Sequence, residues 1–137
     1  MNEGKRILTF GVYDMLHIGH MLLFKRAKAL GDYLIVAVQD GDCILKYKPG
    51  TEMVYTTEER LYMVSTIRYV DEVVTYRDVD VDIKKYDFDV FAVGEDQKHA
   101  GFQRAMQWCR ENGKEVVVLT RTEGISSTML REYSKTR

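Results

Sequence analysis

Five apolar runs of five or six residues alternate with longer amphipathic stretches, and this alternation limits the fold of the chain more than any other feature. The runs are Ile7 to Val12, Tyr33 to Val38, Glu72 to Tyr76, Asp89 to Gly94 and Glu115 to Thr120. Each is the length of a buried strand and shorter than a helix needs. Between them lie helical patterns. From His17 to Leu30, Leu23, Ala27 and Leu30 recur at i, i+4 and i+7, while Lys25, Arg26 and Lys28 are expected to point outward; Gly31 is expected to end that helix in a left-handed conformation. Thr56 or Thr57, followed by Glu58 and Glu59, caps a helix expected to run to about Arg68. A helical turn is expected over Val81 to Tyr86, and a helix over Phe102 to Asn112 stopped by Gly113. Ser126 or Ser127 caps a last helix to about Tyr133. The stretch Gly41 to Tyr55 is polar, holds the sole proline, Pro49, and reads as a long loop.

Strands such as LIVAV and EVVVL have no polar face, so the sheet they form is parallel and covered on both sides. The expectation is an α/β fold, a Rossmann-like doubly wound sheet of five parallel strands with helices on both faces. With 137 residues, the whole chain, 1–137, reads as one domain. Ligands of such folds bind beyond the carboxyl ends of the strands, where the strand order reverses. The loops after the first, fourth and fifth strands are therefore the places to look. A net charge of -1 gives no footprint for broad binding to nucleic acid or membrane. No window of about 18 apolar residues appears, so no membrane-spanning helix is expected, and the run after Arg6 is too short for a signal-peptide core. Cys43 and Cys109 match no zinc spacing and read as reduced, inert thiols of a cytoplasmic protein.

The first of these loops reads Gly11-Val12-Tyr13-Asp14-Met15-Leu16-His17-Ile18-Gly19-His20. His17 and His20 are three apart and share one face of a helix start, and Gly19 lets a ligand approach the backbone. Two imidazoles with helix N–H groups nearby make a seat for phosphate. A metal pair is the competing reading, but no third ligand lies close in sequence. After the fifth strand, Arg121-Thr122-Glu123-Gly124-Ile125-Ser126-Ser127-Thr128 offers a tight turn and hydroxyls at another helix start, a second anion seat.

These two stretches resemble, respectively, the HxGH motif of the nucleotidyltransferase superfamily and the RTEGIST motif of its cytidylyltransferases, in particular the glycerol-3-phosphate branch. Ile67 to Val73 resembles a further segment of that family, and the similarity runs from about Ile7 to Glu132. The resemblance implies transfer of a cytidylyl group from CTP to a small alcohol phosphate, sn-glycerol 3-phosphate first among them. The product would feed a surface polymer such as a teichoic acid or a capsule. The acceptor brings its own ionised oxygen, so catalysis consists of positioning and charge stabilisation.

The resemblance further implies His17 and His20 on the CTP phosphates, with Gly11, Val12, Tyr13, Asp14 and Gly19 around them. It implies Lys46 and Lys48 as a phosphate-contacting pair, Arg68 as an active-site arginine ahead of Arg60, and Arg121 as a further charged group. Arg121 to Thr128 bind CTP, with Ser127 and Thr128 near its phosphates. Glu95 and Asp96 lie near a Mg²⁺ that rides on the nucleotide, with no dedicated protein metal site. A homodimer built around Arg68 to Val73 is also implied. Val12 and Glu95 depart from the usual Gly-Thr-Phe-Asp and Gly-Asp-Asp, and Ile18 stands where relatives carry Trp. The acceptor is accordingly less defined than the chemistry. The remaining alternatives are cytidylyl or adenylyl transfer to another sugar or polyol phosphate or to a coenzyme precursor, and a non-catalytic nucleotide sensor. His99 has no motif around it and reads as a surface residue.

Overall fold

A computed structural model describes residues 4–120. The element order is β1 (Arg6–Gly11), α1 (Ile18–Lys28), β2 (Tyr33–Gln39), α2 (Gly41–Tyr47), α3 (Thr57–Ser65), β3 (Glu72–Tyr76), α4 (Val79–Asp82) with a 3₁₀ turn (Ile83–Lys85), β4 (Val90–Gly94), α5 (Ala100–Glu111) and β5 (Glu115–Leu119). All strand pairs are parallel, in the order β3-β2-β1-β4-β5. The chain reverses direction across the sheet between β1 and β4, which is the switch point of a doubly wound fold.

Alternate residues of each central strand serve opposite faces. Ile7, Leu34, Val36, Val38, Val90 and Ala92 pack with Phe24 and Ala27 of α1 and Val64 of α3. Leu8, Phe10, Ile35, Ala37, Phe91 and Val93 pack with Val79 of α4 and Phe102, Ala105, Met106 and Cys109 of α5. The sheet is thus covered on both faces, as its apolar strands require. Both cysteines are free and buried, and burial pushes the Cys109 thiol up to about 11.

Several sequence expectations are corrected. The stretch 41–55 is not all loop: Asp40 accepts from the Asp42 N–H, starting α2, and Cys43 and Ile44 are buried. α3 stops at Ser65 rather than near Arg68. There the Ser65 and Thr66 hydroxyls bond back to the carbonyls of Tyr62 and Met63, and the Ile67 N–H closes on Val64 in a tighter turn. The turn expected at Val81 begins at Val79. α1 ends at Lys28, and Gly31 is not left-handed. A Cβ there would lie 2.5 Å from the Lys5 carbonyl, so Gly31 is needed for close approach. Gly113 does take the left-handed conformation that stops α5 (φ +73°). Lys28 does not point freely outward but pairs with Asp71. The helix expected from Ser126 or Ser127 to Tyr133 lies outside the described residues.

Candidate active site

The carboxyl ends of β1, β4 and β5 surround a cavity of about 270 Å³. Its walls come from two of the loops singled out in the sequence and from the end of the fifth strand: Gly11, Val12 and Tyr13 at the end of β1, Glu95 to Gln97 after β4, and Leu119 and Thr120 at the end of β5. His17, Gly19 and His20 close one side.

His17 is the N-cap of α1. Its Nδ1 accepts from the Gly19 N–H at 3.0 Å, and His20 Nδ1 accepts from the His17 N–H at 3.2 Å. This is a capping box with imidazoles in the roles that Ser or Thr and Glu usually fill. These two amides are therefore spent on the histidines, a correction to the seat of N–H groups expected from sequence. The replacement donors are chemically defined. An imidazole whose Nδ1 accepts carries its proton on Nε2 when neutral, so both rings are set as Nε2–H donors by the helix they cap. Burial, and next the neighbouring His17, lower the His20 pKa to about 4 against the opposing pull of Asp96, so His20 is neutral near pH 7. The two rings lie 4.1 Å apart.

The loop carrying them is braced from below. Tyr13 is left-handed (φ 56°), and its buried ring meets His20 at 5.6 Å and Phe24 at 5.2 Å, both edge-on. A Cβ on Gly11 would fall 2.4 Å from that ring, so only glycine fits beneath it. Fully buried Arg60 donates from Nη1 to the carbonyls of Val12 (2.9 Å) and Gln39 (2.7 Å) and from Nη2 to Thr57 Oγ1. It ties the ends of β1 and β2 together, and burial lowers its pKa. The Asp14 carboxylate accepts from the Val54 and Tyr55 N–H groups, both at 2.9 Å, so it fastens the chain ahead of α3 to this loop and does not line the cavity.

The other expected residues divide. Glu95 and Asp96 are exposed at the cavity wall. Lys46 on α2, Lys48 at its C-cap and Arg68 after α3 are exposed and do not line the cavity. Arg68 makes no ion pair with Asp71 or Glu72, which pair with Lys28 and Arg6; its guanidinium stands 6.0 Å from the Tyr69 ring. His99 caps α5. Arg121, Thr122, Glu123, Gly124, Ile125, Ser126, Ser127 and Thr128 lie outside the described residues. The cavity residues not anticipated include Arg26 and Gln97. Arg26, expected to face solvent, turns inward and donates to the Thr120 carbonyl and hydroxyl. Gln97 donates to the Phe10 carbonyl at 2.7 Å and accepts from the Gly94 N–H at 2.9 Å. Neither role has a sequence signal, because each depends on which strand ends the fold brings together.

Residues 8–133 match the family model described as cytidylyltransferase-like. The chain belongs to that family. It is 39% identical over 132 residues to glycerol-3-phosphate cytidylyltransferase of Staphylococcus aureus, covering 93% of each chain. It is 40% identical over 131 residues to the Bacillus subtilis enzyme of the same name, covering 93% of this chain and 95% of that one. Among solved structures it resembles a lipopolysaccharide core biosynthesis protein of Thermoplasma volcanium, at 25% identity and a TM-score of 0.69, over 86% of this chain and 96% of the other.

Proposed function

We propose that this cytidylyltransferase-like protein transfers the cytidylyl group of CTP to sn-glycerol 3-phosphate. An ionised phosphate oxygen of the acceptor attacks the α-phosphorus. The bond from that phosphorus to the bridging oxygen breaks, and CDP-glycerol and pyrophosphate leave. The observation that carries this reading is the pair of imidazoles at the cavity, both turned into Nε2–H donors by their own helix cap. Such donors suit a reaction in which charge grows on phosphate oxygens and no protein nucleophile is required. The similarity to glycerol-3-phosphate cytidylyltransferases over 93% of this chain supports this acceptor.

Within this reading, Arg121 to Thr128 supply the second anion seat, directly beyond Thr120, which Arg26 holds at the cavity. Lys46, Lys48 and Arg68 act on phosphates once substrates are bound. No group of three or more His, Cys, Asp or Glu suited to a metal occurs among the described residues. The donor set at the cavity is the pair of exposed carboxylates of Glu95 and Asp96. That fits Mg²⁺ brought mainly by the triphosphate: Glu95 and Asp96 would help to hold it, and it would neutralise charge on the leaving pyrophosphate. No helix among the described residues is long and apolar enough to cross a membrane; the proposed setting is the cytoplasm, as a homodimer.

The test is a panel of alcohol phosphates offered with CTP or ATP and Mg²⁺, read by phosphorus NMR for a new diphosphate. CTP with sn-glycerol 3-phosphate is expected to give the signal. A signal with ATP alone would favour adenylyl transfer, the second reading. The chain is also 41% identical over 95 residues to an FAD synthase of Thermococcus kodakarensis, across 67% of this chain and 63% of that one.

A further inference from the structure

The sheet is not closed along its whole length. β1 pairs with β2 at every position from Arg6 to Gly11, and β4 pairs with β5 from Val90 to Gly94. β1 pairs with β4 only at Ile7↔Val90 and Leu8↔Phe91, although both strands run on. Extended in the same register, the ladder would set Thr9 beside Ala92, Phe10 beside Val93 and Gly11 beside Gly94. The ladder bond would then run from the Gly94 N–H to the Phe10 carbonyl. Instead, both of those groups bind one side chain. Gln97 Oε1 accepts from the Gly94 N–H, and Gln97 Nε2 donates to the Phe10 carbonyl. A backbone amide can only donate and a carbonyl can only accept, so the orientation of the Gln97 amide is fixed.

The geometry points to Gln97 as a positioning residue that holds the nucleotide crevice open at the switch point. Its amide takes the place of one missing ladder bond, so the two strands stay an amide's width apart with both backbone groups satisfied. Phe10, Gly11, Gly94 and Glu95, on the two sides of that opening, all line the cavity. The histidines stand on the α1 side of the cavity, so the part beside Gln97 and the ends of β4 and β5 is left for the nucleoside. Replacing Gln97 by a residue that cannot bridge leaves two buried-edge backbone groups whose simplest remedy is each other. The strands then zip toward Gly11 and Gly94 and narrow the crevice. This rests on the cytidylyl-transfer reading for the identity of the nucleotide.

The test is the dissociation constant for CTP with Mg²⁺, by isothermal titration of the full chain, which needs no acceptor. Gln97→Met keeps the length and loses both bonds; CTP affinity is expected to weaken roughly tenfold or more, the worth of one hydrogen bond, with binding stoichiometry unchanged. A merely structural role would lower the stoichiometry of competent protein and leave the constant alone. Gln97→Glu can accept from Gly94 but repels the Phe10 carbonyl until its carboxyl is protonated. Its affinity relative to the native protein is therefore expected to recover as pH falls through the carboxyl range. If Gln97→Met does not fold, this pH-dependent ratio decides alone. Native-like constants in the variants, with a flat ratio for Gln97→Glu, would overturn the wedge while leaving cytidylyl transfer standing. A native protein that binds no CTP would instead remove the reading beneath it, and the proposal with it.

Discussion

Two helices of this protein open on the same three-residue device. α1 begins His17-Ile18-Gly19, and α5 begins His99-Ala100-Gly101. In each, the imidazole Nδ1 accepts from the glycine N–H two residues on, at 3.0 and 3.1 Å. The difference lies in the next residue. At α1 it is His20, which returns a bond to His17 and lines the cavity. At α5 it is Phe102, whose ring meets His99 edge-on at 4.6 Å and is buried in the core. A histidine cap by itself is a way to start a helix. It becomes chemistry when a second imidazole stands in the same turn and the turn sits at the split between β1 and β4.

The largest test of that contrast converts one site into the other. His20→Phe gives α1 the sequence logic of α5. Steady-state pyrophosphate release is expected to fall by about 10²–10³-fold, the usual loss when one donor to developing charge is removed. A fall of less than tenfold would mean that His20 donates nothing in the transition state. His17→Asn separates the cap from the chemistry, since Asn is itself a good N-cap. Its urea midpoint is expected to stay near the native value while turnover drops by about 10²-fold; equal losses of both would reduce His17 to a cap.

A smaller effect is expected with pH. The folded protein holds His20 at about 4, below its ordinary 6.5, so the unfolded chain takes up a proton that the folded one refuses. The stability contributed by the neutral ring is complete above 6.5 and is lost as pH falls toward 4. Denaturant midpoints across that window should slope down in the native protein, and His20→Phe should flatten part of the slope. Smallest is His99→Ala, expected to cost about 1 kcal/mol in chemical denaturation as the loss of a cap, with turnover within about twofold of native; a large loss of turnover would erase the distinction between the two entrances.

The fold was largely legible because periodicity is a local signal. Glu72–Tyr76 is a strand to the residue, and Thr56 caps α3 with Glu59 as its sequence suggests. α2 was not legible: seven residues opening on Gly41 and Asp42 carry no helical stripe, and the helix exists because Cys43 and Ile44 find a buried place beyond β2. The histidine pair announced itself by residue type and spacing. Arg26 and Gln97 did not, and Arg60 reads only as a weaker active-site candidate behind Arg68, since an Arg or Gln in an amphipathic or polar stretch looks solvated until the fold shows which carbonyl it meets. Arg60 reaches across 48 residues to Val12, and Gln97 across 87 to Phe10.

Asp14 gives the molecule a modular joint. Its carboxylate anchors Val54 and Tyr55, while Lys48 ends α2 with its N–H on the Ile44 carbonyl. The chain between those anchors is moored at both ends. Changing the length of such a segment costs free energy only as the logarithm of its length. Residues 49–53 are thus a place where natural variation or an engineer can swap one surface for another without retuning the histidine turn next door.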